Sequence, residues 1–168
     1  SDATKKDVVR HYPSVREKVE SVLLGYDNRL YNLRISDSDV RRVKTKYKID
    51  SESYILFMST LKPSKNIEGL LHSWQKIGRE FPDVTLVIAG KKGWLFDSIF
   101  HEVEKLSLQD RVVFTDFVDE KDKPALIAGA KLFVLPSFWE GFGLDILSSM
   151  ACGVPVVASN RGSIPEVV

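Results

Sequence analysis

Cysteine is almost absent: Cys152 is the one thiol in 168 residues. A single cysteine excludes an internal disulfide framework and a multi-cysteine metal site, and it fits a reducing compartment, with the cytosol as the expected one. Histidine is nearly as scarce. His11, His72 and His101 are scattered over segments of helical pattern, at no spacing that would gather metal ligands. Long apolar runs are missing; stretches such as Leu132–Leu135 fall far short of the roughly 18 residues that span a bilayer. An excess of either charge is lacking, since 24 Lys and Arg face 23 Asp and Glu for a net charge of +1. That balance gives no overall basic field for nucleic acid or a membrane surface and leaves room only for a local charged site. Neither Gly-x-Gly-x-x-Gly nor Gly-x-x-x-x-Gly-Lys-Ser/Thr occurs, which argues against dinucleotide and P-loop sites. No secretory leader and no initiating Met open the chain. Ser1-Asp2-Ala3-Thr4 reads straight into a helical pattern, so a fragment of a longer protein is expected.

What is present, 43% hydrophobic and 28% charged residues, describes one ordinary folded domain. Short apolar runs alternate with segments of helical period. Strands are expected at residues 18–24, 54–59, 84–89, 111–114, 132–135 and 155–158. Several are nearly continuous in apolar residues, Val84-Thr85-Leu86-Val87-Ile88-Ala89 above all, as strands covered on both faces must be. Between them, Ile67, Leu70, Leu71, Trp74 and Ile77 lie at helical spacing, and so do Phe96, Ile99, Phe100, Val103 and Leu106. Ser36 with Asp39, Asn66 before Ile67, and Asp122 with Pro124 mark helix starts. The polar region 26–53 reads as a solvated helix carried by Val40, Val43 and Tyr47. The whole pattern predicts an α/β fold, a doubly wound, Rossmann-like parallel sheet with helices on both faces.

In such a sheet ligands sit beyond the carboxyl ends of the strands, here the loops at 60–66, 90–95, 115–122 and 136–143. The last is the richest: Pro136-Ser137-Phe138-Trp139-Glu140-Gly141-Phe142-Gly143 runs from a strand into the helix expected at 144–151. Its glycines let backbone approach a ligand closely, and the amides of a helix start suit a phosphate. Gly-x-Gly alone also serves tight turns for steric reasons. Glu140 would accept hydrogen bonds from sugar hydroxyls or act as a helix-dipole partner. Lys65, directly before its helix, can meet a diphosphate as a point charge, and Lys91 or Lys92 stands at the neighbouring strand end. Trp139 could stack on a ring or anchor its loop. Cys152, between Ala151 and Gly153 at a helix end, reads as structural.

The run from Ser137 through Glu140-Gly141-Phe142-Gly143-Leu144, continuing through Met150-Ala151-Cys152-Gly153-Val154-Pro155-Val156-Val157-Ala158-Ser159 to Ile164-Pro165-Glu166, resembles the carboxy-terminal domain of retaining GT-B glycosyltransferases of family 4. Thr60-Leu61-Lys62-Pro63-Ser64-Lys65-Asn66, Ile88-Ala89-Gly90, Arg111-Val112-Val113-Phe114 and the strand into Pro136-Ser137 agree in order. The resemblance implies a nucleotide-sugar donor, transfer with retention, catalysis without a metal and no cofactor beyond the donor substrate. Carried onto matching positions, Lys65 would hold the diphosphate, the amides of Phe142, Gly143 and Leu144 would cradle it, and Glu140 would bind hydroxyls of the transferred sugar. It further implies an amino-terminal GT-B domain outside this chain that supplies acceptor groups, an acceptor glycan or lipid, and a peripheral membrane location compatible with such acceptors. The isolated chain is then expected to fold without turning over.

Two positions depart from the family pattern. Ser148 stands where the second glutamate of Glu-x₇-Glu would hold the nucleotide ribose, so a single shorter, uncharged hydrogen bond to the ribose is expected from it, or a contact that has moved. Asp145, one helical turn earlier on the same face, either compensates or serves the helix dipole. Thr60 and Ser64 stand where many members place an arginine, a charge that Lys62, Lys91 or Lys92 could share.

Overall fold

A computed structural model describes residues 1–94 and 96–168. Leu95, the end of one expected ligand loop, lies outside the described residues. Five apolar runs form strands: β1 (Ser53–Met58), β2 (Val84–Ala89), β3 (Val112–Asp116), β4 (Leu132–Leu135) and β5 (Val156–Ala158). All neighbours are parallel, in the order β3-β2-β1-β4-β5. At the centre Leu56 faces Val87 on one side and Phe133 on the other. Consecutive residues Leu56, Phe57 and Met58 are all buried, which requires cover on both faces of the sheet.

The cover comes from helices α2 (Asp37–Lys46), α3 (Ile67–Ile77), α4 (Asp97–Lys105), α5 (Lys123–Ala128) and α6 (Leu144–Ala151), whereas the first helix, α1 (Asp2–His11), buries no residue. The stripe of Ile67, Leu70, Leu71 and Trp74 is buried on α3, which packs on α4; α5 packs on both α2 and α6. Region 26–53 holds the expected solvated helix, α2, with only Val43 fully inside. Cys152 is buried, and burial raises its thiol, as suits a structural role.

The sixth expected strand, at 18–24, does not form. Lys18 closes a short 3₁₀ stretch, Pro13–Lys18, and the chain then runs on with Val22, Leu23 and Leu24 exposed. A short apolar run becomes a strand only when it pairs, and this one joins neither of the edge strands β3 and β5.

Local start signals divide in the same way. Ser36 caps α2 as read: its Oγ accepts from the Asp39 amide at 3.2 Å and donates to Asp39 Oδ2 at 2.7 Å. Asn66 and Asp122 stand at helix starts but spend their side chains elsewhere. Asn66 Nδ2 donates to the Pro136 carbonyl at 3.2 Å, joining the loops after β1 and β4. Asp122, fully buried, accepts from Arg42 Nη1 at 2.9 Å, Lys46 Nζ at 2.6 Å and Tyr47 Oη at 3.1 Å, which fastens α5 to α2.

Candidate functional site

Strand order reverses between β1 and β4, so the loops leaving these two strands splay apart and open a crevice at their carboxyl ends. The β1 loop ends in a 3₁₀ turn, Pro63–Lys65, whose last residue is only 8% exposed. Lys65 Nζ reaches across the crevice to Glu140 Oε1 at 2.5 Å. Ser137 Oγ donates to the same oxygen at 2.6 Å. The backbone of Glu140 is also fixed: its carbonyl accepts from the Ser163 amide at 3.1 Å and Ser163 Oγ at 3.0 Å. Gly162, at φ +57°, lies so near that a Cβ would stand 2.6 Å from that carbonyl oxygen. The amide of Phe138 donates to Ser64 at 2.9 Å and ties the two loops together.

An ion pair this far from water is costly unless its partners are held in place, and here both are. An ammonium has three protons, and Glu140 takes one from Lys65. The pair is therefore a rigid arrangement with one strong donor and one strong acceptor at the mouth of the crevice, ready to meet an anion and a hydroxyl.

Beside it, Gly143 takes a left-handed conformation (φ 101°, ψ 47°) and starts α6 with no side-chain cap. The first intrahelical bond runs from the Ile146 amide to the Gly143 carbonyl at 3.0 Å, leaving the amides of Gly143, Leu144 and Asp145 as the orphan donors of the helix start. Phe142 precedes them in the same turn, and the Leu144 side chain is left exposed.

A cleft of about 350 Å3 continues from this point along the ends of β1, β2 and β3, lined among others by Thr60, Lys91, Phe117, Glu120, Lys123 and Asp145. Lys91 lies with its Nζ 4.6 Å from the Phe117 ring centroid. Lys92 is turned away, 3.9 Å from Asp116 and over the rings of Phe96 and Phe100. The two adjacent lysines, equivalent in sequence, are thus separated by the fold. Close approach makes the geometry tight: a Cβ on Gly90 would stand 1.8 Å from the Ser59 carbonyl oxygen. Asp145 is partly buried, and burial pushes its carboxyl up to about 6; Glu140 and Glu120 act in the same direction, against Lys123 and Lys65. Ser148 is buried one turn further along α6, outside the lining of this cleft.

Sequence reasoning missed the clasp around the Glu140 loop. Ser1 Oγ and Thr4 Oγ1 donate to the Gly141 carbonyl at 2.7 and 3.2 Å. Glu166 accepts from the amides of Asp2 and Ala3 at 2.8 and 2.7 Å, a carboxylate on the positive end of α1. Trp139, by contrast, takes one of the two roles expected for it, the loop anchor: its Nε1 donates to Asp7 Oδ2 at 3.3 Å, tying the loop to α1. Ser137, Ser163 and Gly162 were equally silent, because small residues carry no pattern until the chain brings them together. Among the described residues no group of three or more His, Cys, Asp or Glu is placed to hold a metal ion, and no helix is long and apolar enough to cross a membrane.

Comparison with known proteins agrees with this geometry. The family described as glycosyl transferases group 1 matches residues 39–168. O-antigen chain mannosyltransferase B of Escherichia coli is 37% identical over 174 residues, covering 100% of this chain and 44% of that protein. The GDP-mannose-dependent alpha-(1-6)-phosphatidylinositol monomannoside mannosyltransferase of Mycolicibacterium smegmatis is 32% identical over 140 residues, covering 79% of this chain and 36% of that protein. Anabaena Alr3699/HepE, solved in complex with UDP and glucose, superposes with a TM-score of 0.87 at 26% identity, over 100% of this chain and 45% of that one. The chain spans less than half the length of these relatives.

Proposed function

Because the chain belongs to the glycosyl transferases group 1 family, we propose that it is the donor-binding part of a retaining, metal-independent glycosyltransferase that moves a sugar from a nucleotide diphosphate to an acceptor. The observation that carries this reading is the meeting of Lys65 and Glu140 beside the open start of α6, at the point where strand order reverses. The donor diphosphate takes the Lys65 ammonium and the amides of Phe142, Gly143 and Leu144. Glu140, released from part of its ion pair, accepts from hydroxyls of the transferred sugar. Thr60 and Lys91 line the cleft that continues from there and receive the nucleoside. A structural neighbour that shares the fold was solved in complex with UDP and glucose, which supports a nucleotide-diphosphate donor.

In the reaction the bond between the sugar anomeric carbon and the diphosphate oxygen breaks, and the diphosphate leaves with the electron pair. The acceptor oxygen bonds to that carbon from the face being vacated, and its proton goes to the departing phosphate. Lys65 and the α6 amides stabilise the negative charge that grows on the diphosphate, an interaction already oriented before the reaction begins. One charge-assisted contact of this kind contributes about 1.5–3 kcal/mol. The remaining part of the protein supplies the acceptor side, a glycan or lipid, in the cytoplasm or at the inner face of a membrane.

Calorimetric titration of the whole protein with UDP, GDP, ADP and their sugars tests the reading. One nucleotide is expected to bind, with affinity lost in Lys65→Ala and sugar-dependent affinity lost in Glu140→Ala. No response to any of them overturns it in favour of a non-catalytic binding module, the reading to which Ser148 at the second glutamate position lends support.

A further inference from the structure

Helix α1 buries none of its residues, so apolar packing does not set its place. Among the described residues, every long-range hydrogen bond of α1 and its cap Ser1 goes to residues 139–141 or to Glu166. The Glu166 carboxylate takes the amides of Asp2 and Ala3, one on each oxygen, at 2.8 and 2.7 Å. Ser1 Oγ accepts from the next amide, that of Thr4, at 3.2 Å, so the start of α1 is satisfied. A helix end held in this way presents the Ser1 and Thr4 hydroxyls together, and both donate to the Gly141 carbonyl.

The held carbonyl matters because of what shares its peptide group. A trans peptide is planar, and its C=O and N–H point in opposite directions. The bond from Gly141 to Phe142 is trans, so hydroxyls that draw the Gly141 carbonyl towards α1 aim the Phe142 N–H away from it. That N–H has no partner among the described residues, and it is the first of the amides assigned above to the diphosphate. The preceding carbonyl, that of Glu140, is held by Ser163, whose own carbonyl accepts from the Glu166 amide at 2.9 Å. One short 3₁₀ turn, Ile164–Glu166, thus bears on both peptides that lie between the sugar-binding acid and the phosphate-binding amides. We infer that Glu166 is a positioning residue for the donor turn. It acts through α1 and the hydroxyls of Ser1 and Thr4 to set the direction of the Phe142 amide, and it touches neither phosphate nor sugar itself.

The inference rests on the donor reading, and the test separates the two. Calorimetry on the whole protein measures affinity for UDP, GDP and ADP. In the ligand-free protein, isotope-labelled phenylalanine lets magnetic resonance follow the Phe142 amide, identified by its loss in Phe142→Leu. An amide signal answers to hydrogen bonds on the carbonyl of its own peptide group. Glu166→Ala is expected to move that signal and to weaken the bound nucleotide about fivefold, the usual worth of one hydrogen bond. Ser1→Ala combined with Thr4→Ala does the same with Glu166 intact. Thr4→Ser, which keeps the hydroxyl, is the rescue, with signal and affinity near wild type, and Glu166→Gln, which keeps one acceptor oxygen, falls between. If Glu166→Ala binds within about twofold of wild type while Lys65→Ala abolishes binding, the positioning role is overturned and the donor reading stands. A loss of affinity with an unmoved Phe142 signal overturns it as well, since α1 would then act by another route. If wild type binds none of the three nucleotides, both are overturned. A melting curve for each variant shows that it is folded, and Glu166→Gln, nearly the same shape as the native side chain, serves should the alanine variant fail to fold.

Discussion

Replacing Lys65 by Met leaves the Glu140 carboxylate with the Ser137 hydroxyl as its remaining side-chain donor. Only 11% of the Lys65 side chain and 12% of the Glu140 side chain meet solvent, so water cannot take over the lost contact. Removing one partner of a buried pair costs about 3–5 kcal/mol, because the other charge stays behind uncompensated. Glu140→Gln strands the ammonium in the same way while keeping an acceptor for Ser137. The double variant carries neither charge, and its loss is smaller than the sum of the two single losses by about 2 kcal/mol or more. Urea titration of wild type, both single variants and the double variant closes the cycle, with unchanged slopes showing that only stability has moved. Losses that add within about 0.5 kcal/mol would show that the two side chains are independent, and the claim of a preorganised charge pair at the crevice would fall.

Three further outcomes follow from the same geometry. Asp145 has its carboxyl at about 6 in the fold against 3.8 in the unfolded chain, so between these values the native state binds more protons and stability falls as pH rises. Asp145→Asn removes that slope: it leaves stability unchanged near pH 3 and adds about 1–3 kcal/mol above pH 7, seen as a rising difference in melting temperature. Asp122 runs the other way, since Lys46, Arg42 and Tyr47 outweigh its burial and hold it at about 2, so its contribution is present above 3.8 and lost as pH falls towards 2. Asp122→Ala is expected to cost about 1–3 kcal/mol at pH 7 and to make the acid limb shallower. Gly90→Ala must move the Ser59 carbonyl and destabilises by about 2 kcal/mol or more, whereas Gly25→Ala, with nothing within 4 Å, stays within about 1 kcal/mol of wild type in the same denaturation assay.

Sequence alone was sufficient wherever the cause is local. The apolar runs of β1, β2 and β4 follow from hydrophobic pattern, α3 and α4 from helical spacing, and the N-cap at Ser36 from residues three apart. The glycine turn into α6 and the family-like run through Glu140 were legible for the same reason. Four features waited for the tertiary structure. Residues 18–24 have a strand-like pattern but pair with neither edge of the sheet. Asn66 and Asp122 look like caps, yet they serve partners 70 and about 80 residues away. Lys91 and Lys92 are indistinguishable until the β2 exit turns one to the cleft and the other to Asp116. Lys65 and Glu140, each assigned to a ligand from its own loop, proved to be each other's partner across 75 residues of sequence. A backbone pattern reports what a residue can do within a few positions; which charge it meets depends on how the strands are ordered, and that order is settled only when the whole core packs.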